Sequence, residues 1–163
     1  MDIKKCVRLS MLSAVAIILS ILESIIPFFY IPGIKIGLAN IIIVATLYLY
    51  GSKEAFYVSI LRIIVVGFLR TGLFSSTFLF SISGAIFSLI IMILLKKTNL
   101  FSIIGISIAG SIFHSIGQLC IAFIIIKNMS IYMYLPVMLI LSVITGLFTG
   151  YMSKEIVKLL KKN

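Results

Sequence analysis

Six apolar runs, joined by short segments that carry most of the charge, constrain this chain more than any other feature. Of its 163 residues, 62% are hydrophobic and 11% are charged, whereas a soluble domain has roughly 45–50% apolar and about 25% charged residues. A soluble fold of this size cannot keep so many apolar side chains from water. Six spans of roughly 20 residues use about 120 positions. The sequence therefore predicts an all-α membrane protein with a single domain over residues 1–163.

The limits of the runs predict six transmembrane helices. The first run is too long for the apolar core of a signal peptide, so we interpret it as an uncleaved helix. Spans two and three are short, and the sequence leaves open whether they form a tilted pair or are partly re-entrant. The predicted spans are residues 9–29, 36–50, 55–69, 74–95, 101–126 and 132–152, followed by a basic cytoplasmic tail at 153–163.

The basic residues indicate the orientation. With a cytoplasmic N-terminus, ten of the 14 Lys and Arg residues fall inside, three fall outside and Arg62 lies within the membrane. Because positive charge accumulates on the cytoplasmic side, this distribution predicts six spans with both termini inside, in a multi-pass protein of the plasma membrane. The net charge of +10 is then explained by orientation, and no nucleic-acid partner is expected.

Residues for catalysis are scarce. Only four acidic residues occur, Asp2, Glu23, Glu54 and Glu155, too few for the carboxylate clusters that hold Mg²⁺ around diphosphates. The single histidine, His114, has no nearby pair of cysteines for a zinc site, and the sequence has no Gly-rich phosphate loop ending in Lys and Ser or Thr. We therefore expect no catalytic residue, no metal ligand and no cofactor, and predict that the chain is not itself an enzyme.

A few polar residues at membrane depth are the candidate binding residues. A charge at the bilayer centre costs about 2.5–3.5 kcal/mol on insertion scales, so Arg62 needs either an anionic ligand or a structural partner such as Glu23. The sequence leaves both alternatives open. His114 and Gln118 are four residues apart, hence on one helix face, where helix packing and ligand binding are both possible roles.

Stripes of small and hydroxyl residues mark spans four, five and six. Such stripes most often pack helices together, but three of them can also converge around a cavity in the outer half of the bilayer. The stripes are Thr77, Ser81, Gly84, Ala85 and Ser88, then Ser107, Ser111, Ser115 and Ala122, then Ser142, Gly146, Gly150 and Ser153.

The connection from Pro27 to Asn40 is predicted to lie outside the membrane. It contains two prolines, three aromatic residues and Lys35, and it forms either a lid over an outward-facing pocket or an ordinary interfacial turn. Together with Arg62 and Arg70, Lys35 gives the outer cavity a positive field that favours an anionic or electron-rich ligand.

Five segments carry a family resemblance: LESIIP at 22–27, PGIKIGLANI at 32–41, LRIIVVGFL at 61–69, FSISGAIFSLIIM at 80–92 and HSIGQL at 114–119. In this order they resemble the heptaprenyl diphosphate synthase component I family, which is grouped with the substrate-binding S components of energy-coupling-factor (ECF) transporters. The resemblance implies a six-helix S-component-like bundle that captures its ligand from outside. The pocket would be built from the loop after helix one and from helices four to six.

The resemblance also implies partners. An S component works with a transmembrane scaffold subunit and two ATPase subunits that use ATP. Its first helix carries a small-residue contact face for the scaffold, and the nearest matches here are Ser10 with Ala14 and Ala16 with Ser20. The candidate ligand-binding residues are Glu23, Lys35, Asn40, Arg62, Arg70, His114 and Gln118.

Two functions are expected from these features. The first is the substrate-binding subunit of an ECF-type importer for a vitamin- or precursor-like small molecule, anionic or related to quinones and isoprenoids. The alternative is a membrane accessory subunit of a heptaprenyl or other polyprenyl diphosphate synthase.

Overall fold

The computed structural model describes residues 3–25, 37–127 and 129–162, and all regular elements in these ranges are helical. Six α-helices follow one another along the chain. Helix α3 continues into a π-helical turn at Gly67–Thr71, and a short 3-10 helix at Met129–Tyr134 precedes the last α-helix. The α-helices are α1 (Ile3–Ile25), α2 (Leu38–Leu49), α3 (Ser52–Val66), α4 (Ser76–Thr98), α5 (Ile103–Ile126) and α6 (Leu135–Lys162).

Four of these helices, α1, α4, α5 and α6, are long and apolar enough to cross a membrane. The prediction of an all-helical membrane protein is confirmed at this level. Helices α2 and α3 have 12 and 15 residues, about 18 and 23 Å at 1.5 Å per residue, which is less than the roughly 30 Å of a hydrocarbon core. Six complete spans and cytoplasmic termini therefore remain predictions.

Both ends of the described chain are more helical than predicted. Helix α1 begins at Ile3 instead of residue 9, because its basic residues Lys4, Lys5 and Arg8 are good helix formers. Residues assigned to a basic tail instead continue α6 to Lys162. This part of the helix is packed, since Ser153 and Val157 are buried and the Ser153 hydroxyl donates to the Ile41 carbonyl. The predicted basic segment 153–163 is thus helical as far as Lys162, and its cytoplasmic position stays a prediction.

Small residues bring α4, α5 and α6 close together. A Cβ atom on Gly117 would lie 2.9 Å from the Ser83 carbonyl oxygen on α4, and one on Gly146 would lie 2.6 Å from the Ile108 Cα on α5. Hydroxyl groups join the same helices, since Ser107 bonds to Thr149 at 2.8 Å. In the structure these stripes pack α4, α5 and α6 against one another, which is the packing role predicted for them.

Helix α2 occupies the centre of the other half of the bundle. Residues 41–47 are all buried, and Ile43 and Leu47 form one apolar cluster with Ala16 of α1 and Val58 of α3. A helix that is apolar on all sides is typical of the interior of a membrane protein. The short α2 is therefore covered by its neighbours, and it need not face lipid along its length.

Candidate ligand-binding cavity

A cavity of about 370 Å³ lies inside the bundle, within the range of roughly 300–1,000 Å³ found for small-molecule pockets. All six helices line it, and each contributes from the same end. Helices α1, α3 and α5 use residues toward their C-terminal ends, whereas α2 and α6 use residues toward their N-terminal ends. The cavity therefore lies away from the end of the bundle at which the described chain starts and finishes.

One side of the cavity, formed by α1, α3 and the π-helical turn, carries the charged residues Glu23, Arg62 and Arg70. Glu23 accepts a hydrogen bond from the backbone N–H of Gly37, at the start of α2, and it attracts Arg62 electrostatically. Within the described ranges, Arg62 has no hydrogen bond or ion pair of its own. The Arg70 Nε donates to the Ser24 hydroxyl at 3.2 Å, which links the π-helical turn to the end of α1.

The opposite side, formed by α4, α5 and α6, is polar without formal charge apart from the titratable His114. The His114 ring packs directly on Gly84, where a Cβ atom would lie 2.8 Å from the ring. Ser115 and Ser142 also line the cavity and bond to each other at 2.6 Å. The other polar residues on this side are Thr77, Ser81, Ser88, Ser111, Gln118 and Thr145.

Two buried polar atoms in the cavity wall lack hydrogen-bond partners in the described structure, the Ser88 Oγ and the Gln118 Oε1. Their residues are only 2% and 4% exposed. Buried polar groups in native proteins are nearly always paired, because an unpaired one carries its full cost of desolvation. Both atoms are enclosed by the packed helices, the Ser88 Oγ against Gly110 of α5, so the open space of the cavity does not reach them.

Six of the seven predicted ligand-binding residues line this single cavity: Glu23, Asn40, Arg62, Arg70, His114 and Gln118. The seventh, Lys35, lies outside the described residues, as does the whole part of the predicted loop from 27 to 36. The structure thus brings together side chains from five separate segments. Their role in binding a ligand stays a prediction.

The proposed contact face on α1 divides into two parts. Ser10 and Ala14 are exposed, so they are accessible to a partner. Ala16 is completely buried in the apolar cluster, and Ser20 lines the cavity. The assignment of Ala16 to a partner-contact face was wrong, because its side chain is enclosed in the bundle, whereas Ser20 is partly exposed and its partner contact stays a prediction.

Several cavity residues were missed in the sequence. Ser59 precedes Arg62 by three residues, so its spacing from a charged residue was an available signal. Ser24 follows Glu23 directly, and adjacent residues of a helix do not share a face, so no such signal existed for Ser24. Phe78 and Met138 line the cavity as apolar residues, and no sequence pattern distinguishes them from other apolar residues of the same spans. Among the described residues, no group of three His, Cys, Asp or Glu side chains is placed to hold a metal ion.

Comparison with protein families identifies the relatives of this chain. The model of the heptaprenyl diphosphate synthase component I family matches residues 12–156. The chain belongs to this family. The match begins in α1 and ends in α6, so it includes every described residue that lines the cavity. It confirms the resemblance given by the five sequence segments. Comparisons with curated proteins and with solved structures gave no match.

Proposed function

We propose that this family member is a membrane-embedded binding subunit that holds a small molecule in the cavity between its charged and uncharged sides. The observation that carries the proposal is the charged and polar lining of one cavity, above all Arg62, which has no hydrogen bond or ion pair within the described ranges. A positive charge at membrane depth is costly, and an anionic or hydrogen-bond-accepting ligand offsets this cost. A ligand that binds only the folded chain also stabilises the folded state by mass action.

The importer version of this function makes the chain an S component. It would capture an anionic or electron-rich, vitamin- or precursor-like molecule from outside, with both termini in the cytoplasm. Arg62 and Arg70 supply the positive field for such a ligand. The exposed Ser10 and Ala14 would contact the scaffold subunit, and two partner ATPases would supply the energy, since the chain has no nucleotide-binding motif.

A second candidate is an accessory subunit of a heptaprenyl diphosphate synthase, and the family description supports it more directly than it supports transport. In this version a separate soluble subunit performs the chemistry, and the membrane chain binds the enzyme or its lipid product. The short supply of carboxylates, with only Asp2, Glu23, Glu54 and Glu155 in the sequence, favours a non-catalytic role here as well.

Native mass spectrometry of the chain, purified from its own membranes, tests both versions. The importer version predicts a bound small molecule and a co-purifying module of one membrane scaffold and two ATPases. The accessory version predicts instead a soluble synthase whose activity rises when the membrane chain is added. A preparation with an empty cavity and with neither partner contradicts both versions.

Arg62→Gln and Arg8→Gln form the matched pair for this experiment. Both variants remove one positive charge, but Arg8 lies in the first turns of α1 and does not line the cavity. The binding function predicts that only Arg62→Gln loses the small molecule. Equal retention in the two variants contradicts a role of Arg62 in binding.

A further inference from the structure

The end of the bundle opposite the cavity brings together lysines from two helices that are distant in the chain. Lys96, in the last turn of α4, donates a hydrogen bond from its Nζ to the Leu47 carbonyl of α2, and this Nζ lies 5.1 Å from the centre of the Tyr48 ring. Lys161, in the last turn of α6, is close enough to Lys96 to repel it electrostatically. The fold therefore places like charges near each other at the ends of α4 and α6.

Within the described ranges, no carboxylate pairs with these lysines. Glu155 is the only acidic residue after Glu54 in the sequence, and it forms no ion pair with a described residue. Lys158 lies three residues before Lys161, so the two share one face of α6, where both are exposed and equally without a described ion-pair partner. Like charges that are neighbours on a helix surface lower its stability. An anion bound between α4 and α6 would supply the missing counter-charge.

The length of α6 places its lysines at the depth of lipid headgroups. The helix has 28 residues, about 42 Å at 1.5 Å per residue, which matches the roughly 40–45 Å of a bilayer with its headgroups. Residues 135–153 carry no charge, and their length of about 28 Å is close to the roughly 30 Å of the hydrocarbon core. Lys158 and Lys161 follow this uncharged part, so they extend beyond the hydrocarbon core into the headgroup region.

Exposed apolar side chains near the lysines favour a lipid over a soluble protein as the source of the anion. Leu159 and Leu160, which follow Lys158 directly, are exposed. So is Leu100, which comes after the end of α4. A lysine side chain can lie along apolar surface and extend its ammonium group to a headgroup. A phospholipid provides both a phosphate for the lysines and acyl chains for the leucines, whereas an acidic protein surface accounts for the lysines alone.

We propose that Lys96, Lys158 and Lys161 bind the phosphate of an anionic phospholipid between the ends of α4 and α6. A lysine ammonium group has three donors, and the bond from Lys96 to the Leu47 carbonyl uses one of them and fixes the position of the group. The other donors of Lys96 and those of the two α6 lysines bond to phosphate oxygens. The site is separate from the cavity lining, so it does not depend on the proposed function.

Native mass spectrometry of the delipidated full chain tests this site with two lipids of identical acyl chains, phosphatidylglycerol and phosphatidylcholine. Only phosphatidylglycerol has a net negative charge, and the wild type should prefer it. Lys158→Gln/Lys161→Gln should lower the affinity for phosphatidylglycerol by about 25-fold, because each lysine near an anionic headgroup contributes about fivefold. The affinity for phosphatidylcholine should not change. Lys96 is left in place, because its bond to α2 also holds two helices together.

Arg8→Gln/Lys53→Gln is the matched control. Both double variants remove two exposed positive charges from the same end of the bundle, but Arg8 and Lys53 lie on α1 and α3. The control should keep the affinity for phosphatidylglycerol, and so should Lys158→Arg/Lys161→Arg, which retains both charges. All three variants should unfold close to the wild-type temperature, because none of the replaced side chains is buried.

A loss of affinity confined to Lys158→Gln/Lys161→Gln supports the site. Equal affinity of the wild type for the two lipids overturns it. Equal losses in the two glutamine variants overturn it as well, because the total charge then explains the binding. Inorganic phosphate and polyglutamate serve as probes for other occupants. If the wild type binds one of these probes but shows no preference for phosphatidylglycerol, the lysines serve a soluble phosphate compound or an acidic protein, and the lipid assignment is overturned.

Discussion

The two sides of the cavity are built by different means. The side formed by α4, α5 and α6 consists of long helices held at close range by glycines and hydroxyl pairs, and it offers the cavity hydroxyl, amide and imidazole groups. The side formed by α1, α3 and the π-helical turn contributes the three charged residues, Glu23, Arg62 and Arg70. The short, buried α2 packs against α1 and α3 of that second side and adds Asn40 and Ile43 to the lining.

This difference suggests a division of labour between the two sides. Backbone-to-backbone packing is hard to deform, because protein interiors are close-packed and have low compressibility. The uncharged side should therefore act as a rigid template whose hydrogen-bonding groups select the ligand. The charged side should supply the electrostatic attraction for the ligand. It includes a π-helical turn, a feature often found at functional sites. Each prediction below tests one part of this comparison.

The largest effect is expected from Gly146→Val on the rigid side. A Cβ atom at this position would lie 2.6 Å from the Ile108 Cα, and backbone cannot move aside as a flexible side chain can. Overpacking costs about 1–3 kcal/mol, occasionally more, and the β-branched side chain places the cost at the upper end. The apparent unfolding temperature in detergent measures this loss.

Gly105→Ala is the control for that prediction. Gly105 lies in the first turn of α5, and an added Cβ there would meet its nearest atom, the Ser102 Oγ, at 3.7 Å, an ordinary contact distance. Because alanine is the better helix former, this variant should be as stable as the wild type or slightly more stable. An equal loss of stability in both variants would contradict the close approach of α5 and α6.

Arg62→Ala on the charged side is expected to have a large effect on binding and a small one on folding. Arg62 lines the cavity without a hydrogen bond or ion pair to another described residue. Its removal should lower ligand retention by roughly 10- to 100-fold, the range expected for a lost charge-assisted hydrogen bond of about 1.5–3 kcal/mol. Retention is measured by mass spectrometry of the purified variant, and folding by its unfolding temperature. A parallel loss of folding would instead make Arg62 a structural partner of Glu23.

Thr149→Val on the rigid side should have a moderate effect on stability alone. The Thr149 hydroxyl bonds to Ser107 at 2.8 Å, and both residues are fully buried. Valine keeps the shape but leaves Ser107 unpaired, which costs about 1–3 kcal/mol. The double variant with Ser107→Ala should recover part of that loss, because both polar groups are then absent. Additive losses in the double variant would show that the two hydroxyls do not interact.

The sequence predicts the class of fold and most of the cavity for a physical reason. Polar groups are costly in lipid, so residues such as Arg62, His114 and Gln118 are conspicuous in apolar runs, and the structure places all three on one cavity. The burial of Ala16 could not be predicted, because small residues serve internal packing and external contacts equally well. The shortness of α2 was visible, but its burial depends on neighbours that are distant in the chain.

The smallest effect is expected from the ion pair of Lys5 with Glu54, at the end of the charged side opposite the cavity. The hydrogen bond from Lys5 is the main cause that holds the pKa of Glu54 below its ordinary value. A lowered carboxyl pKa in the folded state adds stability at neutral pH, and this stability is lost as the pH falls through the folded-state pKa. Because both side chains are partly exposed, the pair contributes only about a few tenths of a kcal/mol to the free energy of unfolding.

Unfolding temperatures at pH 7 and pH 3.5 therefore should differ slightly more for the wild type than for Glu54→Gln. Glu155→Gln, which removes a carboxylate from α6 outside the cavity lining, is the charge-matched control for ligand retention. Ligand retention should be unaffected in both variants, because the ion pair at this end joins α1 to α3 and does not contact the cavity. If Glu54→Gln lost the ligand, charged residues along the whole length of this side would contribute to binding. Arg62 and Arg70 would then not be the sole source of the electrostatic attraction for the ligand.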